Sequence, residues 1–302
     1  MSYPGHNKER FFKYTSASTA LKILETSAVR YSSPLLFNDP FDVQSGLHFD
    51  FDIQSLPDRI FRWLEELVTR DTKPVFSNPQ NTWAMAVTRM WEMKATHGFL
   101  IDRAWTTFRP VLERLKDQIA LFQSQIQEHT WKNFLQRLRV FSLSENRDNL
   151  LMWAHYAKDH KGAVFEFLVL PEDDNALCAA QPVIYSKKPP YLRTEEQLRE
   201  SMFEGKRPDI NILYFQYVRV KSDIWEYEKE WRVWYPLPEA TEALYEDVPL
   251  RQKEIGAIYL GCRMDMHTKK EIISLVSARY PDAKLFQASK AADDFRLDYD
   301  AI

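Results

Sequence analysis

Glycine is scarce in this chain, as are cysteine and long apolar runs. Only seven of the 302 residues are glycine, and none forms a GxGxxG or GxxxxGK[ST] cluster, which argues against a Rossmann or P-loop nucleotide site. The two cysteines, Cys178 and Cys262, lack the spacing of a metal or CxxC site and indicate free thiols in a reducing compartment. Neither an apolar signal core nor a membrane-length run occurs, so a cytoplasmic protein without a membrane partner is expected.

The charge balance also weighs against one class of partner. A formal net charge of −3 predicts no general attraction to nucleic acid or acidic lipid, although it allows a local basic patch. Hydrophobic residues make up 45% of the chain and aromatic residues 14%, which is enough for a packed core. The length suits two domains, or one domain with a large insertion.

Short β-type and α-type segments alternate along the chain without a repeated unit. FFKYTS (11–16), LRVFSLS (138–144) and GAVFEFLVL (162–170) are rich in aromatic and β-branched residues, which predicts strands, as does ILYFQYVRV (212–220). Amphipathic runs elsewhere predict helices. This mixture indicates the α+β class, with a mixed, largely antiparallel β core.

The stretch 56–138 differs from the rest because its apolar residues recur at helical spacing. LPDRIFRWLEELVTR begins this pattern, and the runs 81–97 and 100–127 continue it. We therefore predict that 1–55 and 139–302 form an α/β core and that 56–138 is a helical insertion or cap.

The segment WEYEKEWRVW (225–234) places charged residues at a spacing of two. As a strand, it would turn its aromatic side chains toward the core and its charged side chains to the opposite face. The residues on that charged face would be Glu226, Glu228, Glu230 and Arg232. The face is either a solvated edge with local ion pairs or the wall of a site, and the residues support both interpretations about equally.

RYSSPLLFNDPFD (30–42) predicts an ordered loop because it contains two prolines and several turn-forming residues. Its aromatic side chains would pin the loop to the body of the protein: Tyr31, Phe37 and Phe41. Asn38 and Asp39 have the chemistry of turn residues, whereas turn geometry explains Asp42 least. The sequence is consistent with a purely structural loop and with a loop that contributes polar groups to a site.

ENRDNLLMWAHYAKDHKG (145–162) predicts a capped helix that ends near Gly162, a residue suited to a left-handed C-cap. His155 lies off the apolar stripe of this helix, and His160 follows five residues later. Side chains at that spacing point in different directions, so a metal ion shared by the two is not expected. His155 is either a hydrogen-bonded structural residue or a proton-transfer group.

These segments together show a family resemblance. The ordered set KYTS, LKILE, RYSSPLLFNDPFD, SLSENRDNLLMWAHYAKDHKGAVFEF, YEKEWRVW and IYLGC resembles the bacterial domain-of-unknown-function family numbered 2971, over about residues 11–290. FNDPFD, LMWAHYAKDHKG and YEKEWR are the most specific of these segments. The family name itself implies no activity.

A second, more distant resemblance is to ADP-ribosyltransferases of the poly(ADP-ribose) polymerase and DNA-modifying toxin types. KYTSASTALKILETS has the layout of their first strand and helix, with Lys13-Tyr14-Thr15 at the place of a His-Gly-Thr motif. EWRVW (230–234) has the layout of their late strand, which begins with the catalytic glutamate. The chain departs from the pattern at Lys13, which replaces a histidine that holds NAD, and at Tyr14, which replaces a glycine.

This resemblance implies an ADP-ribosyltransferase-like fold, NAD as cofactor and particular residue roles. Glu230 would stabilise the oxocarbenium-like state formed when the nicotinamide–ribose bond breaks, and Glu228 would orient the acceptor. Lys13 and Arg30 would neutralise the pyrophosphate, since no glycine-rich loop is available. Other residues expected around the cofactor are Tyr14, Tyr31, His155 and Tyr156. Residues expected at the substrate or in its supporting loop are Asn38, Asp39, Asp42 and Arg232.

Three functions are consistent with the sequence. The first is NAD-dependent ADP-ribosyl transfer by a toxin or phage-defence effector whose acceptor is nucleic acid or protein. The second is a non-catalytic module that binds a nucleotide or small polar ligand, which Lys13 and the missing glycines favour. The third is a metal-dependent nuclease or hydrolase of a defence system, whose carboxylates would be Asp39, Asp42, Glu228 and Glu230. The first function requires one concave cavity lined by Lys13, Arg30, Tyr156 and Glu230.

Overall fold

The computed structural model describes residues 5–97, 101–206 and 209–302. The chain divides into two compact units. The first unit is formed by Met1–Gln44, Asn133–Lys188 and Arg219–Ile302, and the second by Ser45–Lys132 and Pro189–Val218. Most of the stretch 56–138 therefore lies in the second unit. Leu100, where a helical run was predicted to begin, lies outside the described residues.

Helices and strands alternate along the described residues, and the fold is α+β, as predicted. The α-helices are α1 (Ala17–Thr26), α2 (Leu56–Thr69), α3 (Thr82–His97), α4 (Ile101–Gln125), α5 (Lys132–Arg137), α6 (Leu150–His155), α7 (Glu195–Phe203), α8 (Ile210–Arg219) and α9 (Met266–Arg279). The strands are β1 (Arg10–Thr15), β2 (Ala28–Ser32), β3 (His48–Phe49), β4 (Leu138–Ser144), β5 (Ala163–Leu168), β6 (Gln181–Pro182), β7 (Ile184–Ser186), β8 (Tyr191–Arg193), β9 (Val220–Ser222), β10 (Glu230–Pro236), β11 (Tyr245–Pro249), β12 (Ile255–Leu260), β13 (Lys284–Lys290) and β14 (Leu297–Ala301).

The first unit is built on one mixed, mostly antiparallel sheet. Its strand order is β11-β2-β4-β1-β5-β12-β13-β14, and β10 pairs with both β4 and β6. The pair β12–β13 is parallel. β1 pairs with β5 along its whole length, from Arg10↔Leu168 to Thr15↔Ala163. The sheet is therefore continuous on the β5 side of β1.

Alternation along β1 places apolar side chains on both faces of this sheet. Phe11 belongs to a core cluster that includes residues of α1 and α9, such as Leu24 and Ile272. Tyr14 belongs to a second cluster that contains Trp153 of α6. Helix α1 is capped by Ser16, whose hydroxyl accepts a hydrogen bond from the backbone N–H of Thr19 at 3.2 Å.

The second unit has its own apolar core. One stripe of α2 is buried at helical spacing and includes Ile60, Leu64 and Leu67. It belongs to a cluster with residues of α3, α4 and α7, such as Val87 and Leu112. In the described part of the chain, no helix combines the length and the apolar character needed to cross a membrane.

Two predicted strands were wrong in whole or in part, those at 212–220 and 225–234. ILYFQYVRV is not a strand: most of it lies in helix α8, and only Val220 begins the short strand β9. The predicted strand 225–234 begins only at Glu230, because Asp223–Glu228 forms a 3-10 helix. Lys229 then adopts a left-handed conformation with φ of 44°, which turns the chain into β10.

Gly162 does not cap a helix, in contrast to the prediction. Helix α6 ends at His155, and Lys158, Asp159 and His160 form the left-handed part of the following turn. A Cβ atom at Gly162 would lie 2.0 Å from the backbone oxygen of Thr15. Glycine is required here because two backbone segments approach each other closely.

Candidate functional site

The strands β1, β2 and β4 meet at single residue pairs and then separate. β1 pairs with β4 at Phe12↔Ser144, and β2 pairs with β4 at Ser32↔Val140. A cavity of about 450 Å³ opens beside these strands, within the first unit. Its lining includes four predicted site residues that are far apart in the sequence: Lys13, Arg30, Tyr156 and Glu230. Asn38, Asp42, His155 and Glu228 also line it.

Three carboxylates and two cations are buried together at one wall of this cavity. The acids are Asp42, Glu228 and Glu230, and the cations are Lys221 and Arg232. Each of these side chains is at most 7% exposed. Charges buried to this degree are stable only when they are paired and hydrogen-bonded. The segment 225–234 is therefore not a solvated edge at Glu228 and Glu230.

Glu230 is held as an anion by its neighbours. Arg232 donates from Nε to Oε1 at 2.7 Å and from a terminal nitrogen to Oε2 at 3.0 Å. Lys221 Nζ lies 2.9 Å from Oε2. Burial opposes ionisation of this carboxyl, but Arg232 and Lys221 outweigh it and keep the pKa of Glu230 well below its usual range.

Glu228 differs from Glu230 in proton affinity, although both carboxylates contact Lys221. Burial raises the pKa of Glu228, and the nearby Glu230 charge raises it further, against the attraction of Lys221. The Tyr156 hydroxyl donates to Glu228 Oε1 at 2.6 Å. Two neighbouring carboxyl groups whose environments move their pKa values apart are typical of acid–base sites.

Asp42 completes the buried cluster from the loop after β2. Its Oδ2 accepts a hydrogen bond from Arg232 at 2.6 Å and lies 3.5 Å from Lys221 Nζ. Its Oδ1 is buried and has no hydrogen-bond partner in the described part of the chain. A buried oxygen left unsatisfied is costly and marks a place where a ligand group could donate a hydrogen bond.

Among the described residues that line the cavity, Lys13 is a cation without a close carboxylate. In the described residues its Nζ donates to the Ser142 carbonyl at 2.6 Å and lies 5.1 Å from the centre of the Phe141 ring, with no carboxylate at ion-pair distance. Burial lowers the pKa of Lys13 to about 8, against the more distant charges of Glu230 and Glu228. The amine therefore changes its charge near neutral pH.

Arg30 lines the same cavity but is fixed from the neighbouring strand. Its guanidinium makes two hydrogen bonds to Asp247 on β11, at 2.8 and 3.0 Å. It also lies 3.6 Å from the centre of the Tyr245 ring. Arg30 is partly exposed. Its two hydrogen bonds to Asp247 fix the orientation of the guanidinium group.

Several predicted site residues have structural roles instead. Tyr31 lies outside this cavity, because it is buried in the core and stacks on Phe141 with ring centres 5.1 Å apart. Asp39 accepts hydrogen bonds from the Phe41 backbone N–H and from Trp225 Nε1, which fixes the loop. Phe41 does not pin the loop, as it is 73% exposed.

Tyr14 and His155 line the cavity in different ways. The Tyr14 hydroxyl donates to the Asn146 carbonyl at 2.8 Å, which joins β1 to the segment before α6. Tyr14 is buried and therefore supports the wall rather than presenting its hydroxyl to a ligand. His155 is exposed at the end of α6, next to Tyr156.

Lys221 is the site residue that sequence analysis missed. It contacts Asp42, Glu228 and Glu230, so it lies at the centre of the cluster. Its position after α8, in VRVKSD, gives no motif, and its carboxylate partners are brought to it only by the fold. In the sequence, Lys221 is only a charged residue next to an apolar segment, and this pattern is too common to identify a site.

The carboxylates do not form a cation site of the kind considered for a metal-dependent hydrolase. Lys221 and Arg232 already contact Asp42 and Glu230, where a divalent ion would need free oxygens. In residues 5–97, 101–206 and 209–302, no group of three or more His, Cys, Asp or Glu side chains is arranged to hold a metal ion.

The fold and the cavity define an α+β protein with a charged, partly enclosed site beside separating strands. A family model described as a protein of unknown function (DUF2971) matches residues 152–233. The matched range begins in α6, ends in β10 and includes Tyr156, Lys221, Glu228 and Glu230. No curated protein and no solved structure matches the chain.

Proposed function

We propose that this protein is an ADP-ribosyltransferase-like enzyme that binds NAD in the cavity beside β1, β2 and β4. The observation on which the proposal depends is the arrangement around that cavity. A carboxylate that stays ionised, Glu230, lies next to one that can take up a proton, Glu228. The cationic side chains Lys13 and Arg30 line the same space, as required for a ligand with a pyrophosphate.

The two carboxylates Glu230 and Glu228 would have different roles in the reaction. Breaking the nicotinamide–ribose bond leaves positive charge on the ribose while the bonding electrons go to nicotinamide. The buried cluster has three carboxylates against two cations, so its excess negative charge would stabilise that state. The acceptor oxygen or nitrogen would then bond to the ribose carbon, and its proton would pass to Glu228 as general base.

The proposed roles differ in one respect from those implied by the resemblance. Both oxygens of Glu230 accept hydrogen bonds from Arg232 and Lys221, which keep its pKa low, so Glu230 would act through its charge. Glu228 accepts hydrogen bonds from Tyr156 and Lys221, but burial raises its pKa, so it would be the carboxylate that exchanges a proton with the acceptor. Asp42 Oδ1, which has no partner in the described part of the chain, would accept a hydrogen bond from a ligand hydroxyl.

The test is release of nicotinamide from NAD by the purified protein, together with transfer of label from NAD to protein, RNA or DNA. Glu228→Gln should lower the rate by about two orders of magnitude or more, because the base is lost. Glu226→Gln is the matched control, since Glu226 lies in the same segment but is exposed and pairs with Lys229. The proposal would be contradicted if the wild-type protein neither released nicotinamide nor transferred label from NAD.

The second candidate function is binding of a nucleotide without turnover. The occupied oxygens of Glu230 and the presence of Lys13 at the position of a histidine favour it. Under this alternative, calorimetric titration with NAD gives saturable binding, no nicotinamide appears, and Glu228→Gln changes affinity alone. Titration and product analysis on the same protein sample distinguish the two functions.

A further inference from the structure

In the described part of the chain, two lysines line the cavity, and they differ in the charge of their neighbours. Lys221 Nζ lies 2.9 Å from a Glu230 oxygen and 3.5 Å from Asp42, and it also contacts Glu228. Lys13 Nζ is 2.6 Å from a backbone carbonyl, and no carboxylate of the described residues lies at ion-pair distance. An amine surrounded by carboxylates keeps its proton, whereas one surrounded by neutral groups loses it more easily.

We propose that Lys13 is a nucleophile that forms an imine with the aldehyde group of an anionic ligand bound in the cavity. The ligand class is a phosphorylated aldehyde, with the phosphate near Arg30 and the carbonyl carbon at Lys13 Nζ. This goes beyond the proposed function and does not depend on NAD being the ligand.

The step is balanced without any other reactant. The lone pair of neutral Nζ attacks the carbonyl carbon, and the resulting carbinolamine loses water to leave a C=N bond. The two protons lost by the nitrogen and the carbonyl oxygen leave together as that water. Reduction of the imine by added borohydride converts it to a stable secondary amine, which is a property of the assay and not of the protein.

The charge environment supports a reactive amine at this position. Burial lowers the pKa of Lys13 to about 8, in opposition to Glu230 and Glu228 and with help from the nearby Lys221 charge. For Lys221, burial acts in the same direction, but Glu230 and Asp42 outweigh it and raise its pKa above the usual value. Lys13 also lines the cavity, so a small ligand bound there lies next to this side chain.

The Lys13 amine would then have a charged and a neutral form, and each form would interact with a different group of the ligand. Below its pKa, charged Lys13 attracts the anionic group of a ligand, and above it, neutral Lys13 attacks a carbonyl. Lysines with pKa values lowered by burial serve as Schiff-base nucleophiles for this reason. The same residue can thus bind pyrophosphate in the proposed function and react with an aldehyde here.

The experiment treats the full chain with limiting pyridoxal 5′-phosphate at about pH 7.5, reduces it with borohydride, and maps adducts by peptide mass spectrometry. At that pH the neutral fraction of an amine with a pKa of about 8 greatly exceeds that of an ordinary lysine, so Lys13 should react about tenfold faster or more than exposed Lys188. Lys221 should remain unmodified. The proposal would be overturned if Lys221 or exposed lysines were labelled first while Lys13 remained unmodified.

A second arm tests the anionic part of the ligand class. Pyridoxal has the same aldehyde but no phosphate, so it should label Lys13 several-fold more slowly; equal labelling would overturn the assignment of an anionic ligand. Mapping on the wild-type protein needs no variant to fold. Lys13→Met adds a check where it folds, since total early labelling should fall by about one adduct.

Discussion

Arg232 compensates the negative charge of two buried carboxylates. It is fully buried and contacts both Glu230 and Asp42. Arg232→Met keeps most of the side-chain volume but leaves those carboxylates with Lys221 as their main buried cation. We expect a loss of about 3–5 kcal/mol in the free energy of unfolding, measured in urea, because breaking a buried ion pair leaves an uncompensated charge.

Two variants make the Arg232 prediction specific. Lys229→Met removes an exposed ion pair to Glu226 and should cost at most about 0.5 kcal/mol. Adding Glu230→Gln to Arg232→Met should recover part of the lost stability, because one of the unpaired charges is gone. A destabilisation by Arg232→Met no larger than that of Lys229→Met would show that the cluster does not need this cation.

In the proposed function, Lys13 would make the binding of an anionic ligand depend on pH. Its pKa in the folded protein is about 8, so the ammonium is present below that pH and is lost as the pH rises through it. The other titratable groups of the described residues that face the cavity are Tyr14, Arg30, Asp42, His155, Tyr156, Lys221, Glu228 and Glu230. The affinity for NAD should therefore fall by about tenfold as this charge is lost, since one charge-assisted contact is removed.

Calorimetry at a series of pH values on either side of the Lys13 pKa measures this fall. Lys13→Arg keeps a cation throughout the range, because guanidinium groups do not titrate in proteins. Its affinity for NAD should be nearly constant. The same decline in wild type and Lys13→Arg would assign the pH dependence to another group.

At the scale of elements, the residue that caps α6 also contacts the segment that carries Glu228. Asn149 accepts hydrogen bonds from the backbone N–H groups of Leu151 and Met152 and donates to the Tyr227 carbonyl at 2.8 Å. It therefore caps the helix that precedes Tyr156 and holds the chain just before Glu228. Asn149→Ala should cost about 1–2 kcal/mol of stability and also lower the rate of nicotinamide release.

Asp265 provides the matched comparison, since it caps α9 through the Thr268 backbone N–H at 2.9 Å and does not line the cavity. Asp265→Ala should lose a similar amount of stability and keep its activity. Urea unfolding and nicotinamide release are measured on both variants. Equal loss of activity in the two would mean that Asn149 acts only through general stability.

Elements with strong local signals were predicted correctly. β1, β4 and β5 have dense aromatic and β-branched runs, which predicted them as strands. The failures fall where tertiary packing overrides propensity. In α8 the aromatic and β-branched residues favour a strand, yet they form a helix. The 3-10 helix Asp223–Glu228 could not be recognised, because no glycine marks the left-handed residue Lys229.

The site was predictable only in part, for a related reason. Alternation along a strand gave the shared face of Glu230 and Arg232 correctly, because those residues do lie in β10. Glu228 lies before the strand, so its place beside Glu230 depends on the turn at Lys229. The contacts of Lys221 with Asp42, and of Tyr156 with Glu228, join residues that no local pattern connects.

At the scale of the whole molecule, each compact unit has its own apolar core. The described residues that line the candidate cavity all belong to the first unit. Leu64 is 2% exposed in the core of the second unit, and Leu24 is fully buried in that of the first. Truncation of either to alanine should cost about 2–5 kcal/mol, because it leaves a cavity in a packed core.

We expect that cost to be local to the unit that contains the substitution, and hydrogen–deuterium exchange with peptide resolution measures it. Leu64→Ala should accelerate exchange in peptides of α2, α3 and α7 while peptides of β1, β4 and β5 remain near wild type, since cooperative units open separately. Leu24→Ala should give the opposite pattern and should also weaken NAD binding. Uniform acceleration by either variant would mean that the two cores unfold as one cooperative unit, and substitutions far from the cavity would then alter ligand binding through global stability.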